Sequence, residues 1–232
     1  YSYGSGQGSI RMFNAALAAT PAGAEMLKGP LTADAINSEE FADAFRTVAT
    51  LDQQNGSANS SVNANDFAAD FNNGLSAVFI NGVWGASQFA GSDNFVSCIY
   101  PNSVAISSAN TGLYVANDLS DAQKELALEF IKYMTSEEVQ SRYFLETSSN
   151  PINENVDIQK LAQESGDPTA LKLAEACDKC NKADTIVLAI DVCWGNDVGG
   201  ALQNKFAECA VAGTDIEAKL AELQAELTAL IG

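Results

Sequence analysis

The sequence predicts an α/β fold in which helices flank a sheet, and three observations support this. The chain has 232 residues, of which 47% are hydrophobic, enough for a sizeable core in one large domain or two small ones. Helical apolar stripes that follow capping residues recur along it. Short uncharged apolar runs bounded by turn residues lie between them. The order of helix, strand, strand and then mostly helices favours a helix-covered sheet over a helical bundle.

The first amphipathic helix is predicted after Ser38. Ser38 is a good N-cap and two glutamates occupy the first turn. One face of the predicted helix is apolar and runs until Gly56, with the members Phe41, Ala44, Phe45, Val48 and Leu51. Residues 54–65, rich in Asn, Ser and Gly, are predicted as a loop. The opening Gly4–Ser9 lacks the Lys-Ser/Thr of a P-loop, so a flexible turn is expected there.

Residues 66–84 predict a helical turn, a strand and a second turn. The helical turn covers 66–71 and ends at Asn and Gly residues that tolerate positive φ. Ser76–Ile80 is uncharged and partly β-branched, which is typical of a strand buried on both faces. The pair Asn81-Gly82 then forms a turn and delivers Trp84. From these residues alone, Trp84 is either a packing residue at the rim or a platform for a ligand.

The second half of the chain predicts mostly helices. Residues 98–100 and 112–116 are short strand candidates. Ser120 and Gln123 form a capping-box pattern that opens a helix to Met134, and Ser136 caps another toward Tyr143. The apolar face of the first of these helices comprises Ala122, Leu126, Phe130, Tyr133 and Met134.

Three further helices are predicted toward the C-terminus. Asp167-Pro168 begins a helix that runs to about Cys180, and a break at 191–195 precedes a helix to Ala212. Thr214 and Glu217 form a capping-box pattern for the last helix. Its leucine stripe suits either a coiled-coil seam or packing on its own domain, and the short length favours packing.

The charge balance excludes two classes of partner. The chain carries 30 acidic and 12 basic residues, a formal net charge of −18. Such a surface repels phosphate backbones and anionic lipids, so neither nucleic-acid binding nor peripheral membrane binding is expected. No apolar run approaches the roughly 18 residues of a membrane span, and no signal region precedes Tyr1. We therefore expect a mature or truncated product without a direct membrane span.

The absence of histidine weakens most hydrolase interpretations. It removes Ser-His and Cys-His nucleophiles, histidine metal ligands and the usual proton shuttle at neutral pH. The five cysteines are an odd number, which leaves at least one free thiol. Cys177 and Cys180 have CxxC spacing at the end of a predicted helix. They form a local disulfide or two free thiols, or serve redox catalysis or metal binding.

Four sequence blocks resemble one protein family. They are FNNGLSAVFINGVW (71–84), LSDAQKELALEFIKYMTSEEVQSRY (119–143), SSNPIN (148–153) and VCWGNDVGGAL (192–202) with the closing helix. On these blocks the chain is similar to the C-terminal part of family 1 extracellular solute-binding proteins, the maltose-binding-protein-like sugar receptors of ABC importers. The resemblance implies a type II periplasmic-binding-protein-like lobe, a sheet flanked by helices, with the first lobe largely missing.

The resemblance also implies a domain division. Residues 1–110 and 154–232 correspond to the second, C-terminal lobe, and 111–153 to a return segment of the first lobe. The apolar face of the helix over 119–134 would then lack part of its cover.

Six site residues follow from the resemblance. Trp84 and Trp194 match positions where an aromatic ring lies against a sugar, and Tyr3 approximately matches a third. An apolar pyranose face stacks on such rings, while hydroxyls need amide and carboxylate partners. Asn81, Asn196 and Asp197 lie beside the tryptophans and can supply them, although Asn196 or Asp197 can instead cap a helix.

The expected function is that of an extracellular receptor that captures a carbohydrate and hands it to the membrane permease of an ABC importer. An oligosaccharide is the expected ligand, and no catalytic residues, metal or cofactor are expected. The resemblance implies a monomer, either periplasmic or held at the cell surface as a lipoprotein. Two tryptophans favour sugar over peptide or polyamine. The alternatives are an interaction module that pairs through Leu220, Leu223 and Leu227, a Cys177–Cys180 thiol oxidoreductase, and a glycosidase that uses two carboxylates.

Overall fold

A computed structural model describes residues 7–55, 64–89, 95–108 and 112–232. The chain divides into two compact units. The larger unit contains the described parts of residues 1–81, 99–109 and 182–232, and the smaller unit those of 82–98 and 110–181. Each unit encloses a hydrophobic cluster of its own.

The elements follow one another in a helix-rich order. In chain order they are α1 (Gln7–Ala18), α2 (Pro21–Met26), α3 (Ala33–Ile36), α4 (Glu39–Asn55), α5 (Ala64–Asn72), a 3-10 helix (Val83–Phe89), a 3-10 turn (Pro101–Ser103), β1 (Val104–Ser107), α6 (Asp121–Met134), α7 (Glu137–Thr147), α8 (Ile158–Ser165), α9 (Pro168–Asn181), β2 (Thr185–Leu188), α10 (Ile190–Cys193), α11 (Asn196–Cys209) and α12 (Ile216–Ile231).

The larger unit packs helices around a cluster of aromatic rings. Phe45 stacks on Phe206 with ring centroids 5.0 Å apart, and Phe13 lies 5.1 Å from Phe41 in an edge-on arrangement. All four rings are fully buried. They come from α1, α4 and α11, so three segments far apart in the sequence meet at one core. Burial of such rings is the main source of stability for this unit.

A short parallel sheet borders this core. β1 pairs with β2 in parallel, with Val104 opposite Thr185. In the described part of the chain these two strands form a two-stranded sheet. Val104 and Val187 point into the helical core, which joins the sheet to the helices.

The smaller unit has a more modest core. Its buried residues come from the 3-10 helix, α7, α8 and α9, and include Phe144, Ala162, Leu173 and Cys177. None of the residues of α6 is buried. Leu126, Phe130 and Tyr133 of the predicted apolar face are each more than half exposed. In the described structure this face is therefore open.

Several sequence predictions are confirmed where a cap fixes the helix start. Ser38 Oγ accepts from the Phe41 N–H at 3.3 Å, and Ser136 Oγ accepts from the Val139 N–H. Ser120 and Gln123 make both bonds of the capping box. The leucine stripe of α12 packs on its own unit, because Leu220, Leu223 and Leu227 are buried in the core.

The strand predictions are wrong. Residues 76–80 form no strand, and Val78 is about half exposed rather than buried. Residues 98–100 contribute a single antiparallel bridge at Tyr100, and 112–116 have no regular structure. The observed strands are only four residues long, so their apolar pattern is too short to identify without the partner strand.

Three other predictions need correction. Gln7–Ser9 begins α1 rather than ending a flexible turn, whereas residues 4–6 lie outside the described part. Most of the predicted 54–65 loop lies outside it too. The N-cap of α12 is Asp215 rather than Thr214, and its carboxylate accepts from the N–H groups of Glu217 and Ala218. The helix predicted to reach Ala212 ends at Cys209.

The two units also differ from the predicted lobe boundaries. Residues 154–181, which were assigned with the C-terminal lobe, cluster in the smaller unit with the described part of 110–153. The described part of residues 82–98 clusters there as well. The assignment of segments to two lobes stays a prediction.

Candidate functional site

Trp84 occupies an exposed position on a fixed backbone. It is the second residue of the 3-10 helix Val83–Phe89, which starts directly after the predicted Asn81-Gly82 turn. The Gly85 N–H donates to the Gly82 carbonyl at 2.9 Å, and Ser87 Oγ donates to the Trp84 carbonyl at 3.0 Å. The Trp84 side chain is 56% exposed. An indole this exposed presents apolar surface that a ligand can cover.

The 3-10 helix is anchored by its other face. Ala86 is buried and Val83 is partly buried against the cluster of the smaller unit. The α9 residues in that cluster are Ala170, Leu173, Ala174 and Cys177. The small Ala side chains let the backbones approach closely, so the core holds the helix while Trp84 faces solvent.

Two lysines of α9 hold a neighbouring segment. Lys172 Nζ donates to the Phe95 carbonyl at 3.0 Å and lies 4.9 Å from the centroid of the Phe95 ring. Lys179 Nζ donates to the Ser97 carbonyl and pairs with Glu175 at 2.8 Å. The hydrogen bond from Lys179 lowers the pKa of Glu175. These side chains are engaged in structural contacts.

Trp194, by contrast, packs in the core of the larger unit. It is 8% exposed, and its ring stacks on Phe41 with centroids 6.4 Å apart. Its Nε1–H donates to the Met26 carbonyl at 3.2 Å. One indole face and the indole donor therefore serve the fold, and a ligand role for Trp194 stays a prediction.

The polar residues predicted to bind the ligand lie at the start of a helix or at the boundary between the two units along the chain. Asn196 and Asp197 are exposed and occupy the first two positions of α11. The N-cap is Gly195, at φ +91°, so neither side chain is the cap. Asn81 is exposed in the larger unit, directly before Gly82 of the smaller unit. Tyr3 lies outside the described residues.

The structure thus brings Asn196 and Asp197 together with Trp194 at the junction of α10 and α11. Trp84 belongs to the other unit. A surface pocket of about 320 Å³ in the larger unit is lined mainly by Thr20, Glu39, Glu40, Asp43 and Thr47 and has no aromatic wall. It therefore offers no stacking surface for a sugar.

A polar network that positions α10 was not predicted. The fully buried Asn14 donates to the Leu188 carbonyl at 3.2 Å and accepts from the Ile190 N–H at 2.9 Å. Arg11, one turn earlier in α1, donates to Asp191 at 2.5 Å. The signal available in the sequence is the i,i+3 spacing of Arg11 and Asn14, which directly follow the buried apolar residues Ile10 and Phe13. The hydrogen bonds of Arg11 and Asn14 fix the segment that leads from β2 to Trp194.

The Arg11–Asp191 pair predicts a pH-dependent contribution to stability. The hydrogen bond from Arg11 lowers the pKa of Asp191 below its usual value of about 3.9. A depressed carboxyl pKa adds stability above about pH 4, and this stability is lost as the pH falls through the folded-state pKa.

We expect Arg11→Met to lower the urea midpoint at pH 7, by an amount that shrinks toward pH 2. An equal gap at both pH values would contradict this, and Arg142→Met, which removes an exposed pair with Glu146, is the control.

Four of the five cysteines are buried or half-buried. All five are free, which confirms that at least one thiol is unpaired. Burial raises the pKa of Cys177 to about 12 and also raises that of Cys180. The thiolate is the reactive form of cysteine, so a raised pKa disfavours the redox role of the CxxC pair. In the described residues, no group of three or more Cys, Asp or Glu side chains is arranged to hold a metal ion.

We therefore expect one fast thiol in the native protein. Cys98 is exposed, whereas burial raises the pKa of Cys193 and Cys209 to about 11 each. Titration with Ellman's reagent at pH 8 should give one rapid equivalent that disappears in Cys98→Ser. A rapid second equivalent that is lost in Cys180→Ser would instead support the thiol oxidoreductase.

Comparisons with known proteins bear on the family and the fold of the chain. The model of a family described as bacterial extracellular solute-binding protein matches residues 2–169, more than half of the chain. A solved Streptococcus pneumoniae solute-binding protein in complex with the blood group A-trisaccharide is 39% identical, with a TM-score of 0.91 over 99% of this chain. A solved chitin oligosaccharide binding protein is 16% identical, with a TM-score of 0.71 over 99% of this chain, and shows the fold alone.

The chain spans 59% and 60% of the length of these two proteins. No curated protein matches it. No described helix has the length and apolar character that a membrane span needs. Both solved structures confirm the predicted α/β class and the solute-binding-protein-like lobe. The chain belongs to the family of bacterial extracellular solute-binding proteins.

Proposed function

We propose that the chain is the ligand-capturing part of a carbohydrate receptor that serves an ABC importer, and that its ligand is an oligosaccharide. The observation that carries the proposal is the exposed Trp84 on an anchored helix, in a chain 39% identical to a protein solved with a bound trisaccharide. A pyranose offers an apolar face to such a ring. Stacking removes this face and the indole from water, which favours binding. Asn81, Asn196 and Asp197 are the proposed hydroxyl partners.

The second part of the proposal is that the protein binds its ligand without catalysing a reaction. The sequence has no histidine, and the CxxC thiols have raised pKa values. We infer that the receptor releases its sugar unaltered to a membrane permease, works as a monomer, and is periplasmic or tethered to the cell surface by a lipid. The stripe of α12 is buried, so the rival interaction module lacks its proposed surface.

The lobe assignment is a further part of the proposal. We propose that 1–110 and 154–232 form the C-terminal lobe and that 111–153 returns to the first lobe. The open apolar face of α6 supports it, because Leu126, Phe130 and Tyr133 are exposed on one side of the helix. A polypeptide that supplies the rest of the first lobe should cover this apolar face. Its addition should therefore reduce binding of the hydrophobic dye ANS to this chain. Unchanged dye binding would contradict the assignment.

Single-tryptophan variants test the function. Trp194→Phe retains the stacking on Phe41 and leaves Trp84 as the sole indole, whereas Trp84→Phe leaves Trp194. We expect the fluorescence of Trp194→Phe to change saturably with blood group A trisaccharide or with another member of an oligosaccharide panel. Trp84→Phe should respond weakly or not at all.

The other outcomes are equally informative. A response confined to Trp84→Phe would shift the sugar contact to Trp194. No response from either variant, across sugars that include chitin oligosaccharides, would contradict the carbohydrate proposal.

A further inference from the structure

We propose that Gly82 is a positioning residue that makes Trp84 a one-faced stacking platform. The inference rests on the proposed sugar-binding function and assigns a role to a residue that would not itself touch the sugar. It follows from the geometry of the Gly82–Trp84 contact, which lies wholly within the smaller unit.

The Trp84 ring lies over the backbone at Gly82. A Cβ built on Gly82 would fall well under 3.0 Å from Cζ2, Cζ3 and Cη2 of the indole, and at almost the same distance from all three. Three adjacent atoms of a six-membered ring are equidistant only from points near the ring axis. Gly82 Cα therefore faces the flat side of the ring and not its edge.

The requirement for glycine comes from the ring and not from the backbone. The φ angle of Gly82 lies outside the left-handed region, unlike those of Gly74 and Gly195. The φ of Gly82 therefore does not by itself call for glycine, and the nearest atoms that a Cβ would meet are those of the Trp84 indole. The indole can fold flat against the chain because position 82 has no side chain.

This contact gives the two indole faces different roles. Gly82 covers the inner face of the six-membered ring, so the outer face is the one left available to a ligand. A sugar can therefore stack on one face only, which suits a single pyranose laid flat on the platform. Because Ala86 anchors the same 3-10 helix in the core, the backbone that carries the platform is held in place.

Gly82→Ala should displace the ring without unfolding the protein. Trp84 is a surface side chain, so it can rotate into solvent to relieve the clash. The displaced ring would be mobile and wrongly tilted, and sugar affinity should fall about tenfold or more, the equivalent of losing one aromatic stacking contact. Gly29→Ala is the matched control, because a Cβ at Gly29 meets no atom within 4 Å and its φ is ordinary.

The first test is independent of any sugar. Protons held over an indole face are shifted upfield by the ring current, so NMR of glycine-labelled protein should show upfield-shifted α-protons for Gly82. The shift should vanish in Trp84→Leu and persist in Gly29→Ala. Gly82 α-protons at ordinary positions in the wild-type protein would overturn the proposal.

The second test measures affinity for blood group A trisaccharide and chitin oligosaccharides. The proposal expects Gly82→Ala to weaken binding and Gly29→Ala to leave it unchanged. Wild-type affinity in Gly82→Ala would overturn the positioning role while the sugar receptor stands. If the wild-type chain binds none of these sugars, the proposed function and the role in sugar binding both fail, even where the NMR shift is present.

Discussion

Replacing Phe206 with alanine is expected to lower the free energy of unfolding of the larger unit by about 3–5 kcal/mol. Phe206 is fully buried, and its ring centroid lies 5.0 Å from that of Phe45 and 5.9 Å from that of Phe13. Its removal leaves a cavity where α1, α4 and α11 meet, and three helices cannot all move inward to fill it.

Urea unfolding of a Trp84→Phe background would measure this effect, because the remaining Trp194 lies in the same core and reports on it directly. The matched control is Val211→Ala, also in the larger unit, where the side chain is 63% exposed and the expected change is within about 0.5 kcal/mol. Similar losses at both positions would mean that the aromatic cluster is not the stabilising centre of the larger unit.

The second large effect is expected at Asn14. Asn14→Ala removes the buried donor to the Leu188 carbonyl and the buried acceptor for the Ile190 N–H. Both backbone groups would lose a partner at the β2–α10 junction, at an expected cost of about 2–3 kcal/mol in the free energy of unfolding. The same urea experiment measures it.

Asn37→Ala is the control for this prediction. Asn37 Nδ2 also donates to a backbone carbonyl, that of Ala33 at 2.8 Å, but on the exposed surface where water replaces the bond. We expect a change below about 1 kcal/mol there. An Asn14→Ala variant as stable as Asn37→Ala would show that the buried network does not hold the segment leading to Trp194.

The helices predicted correctly are those whose start is encoded locally. Ser38, Ser120 and Ser136 each bond to an N–H three residues ahead, so the sequence contains the whole cause. The strands depend on partners far away, since Val104 of β1 pairs with Thr185 of β2. A four-residue strand has too little pattern of its own to be found before the fold brings its partner to it.

The same distinction between local and distant causes applies to the candidate site. The place of Trp84 directly after a turn could be predicted, because the turn pair is adjacent in sequence, whereas its exposure could not. The environment of Trp194 could not, because Phe41 and Met26, which cover its ring and its donor, come from other helices. The role of Gly82 depends on the rotamer of Trp84, which tertiary packing selects and sequence spacing does not reveal.

Isothermal titration calorimetry of the wild-type chain and Trp84→Ala with blood group A trisaccharide tests the central claim most directly. The account predicts a saturable heat for the wild type that is lost or strongly weakened in a folded Trp84→Ala variant. Equal saturable binding by both proteins would remove Trp84 from the site. The absence of binding by the wild type, here and across the oligosaccharide panel, would contradict the carbohydrate receptor itself.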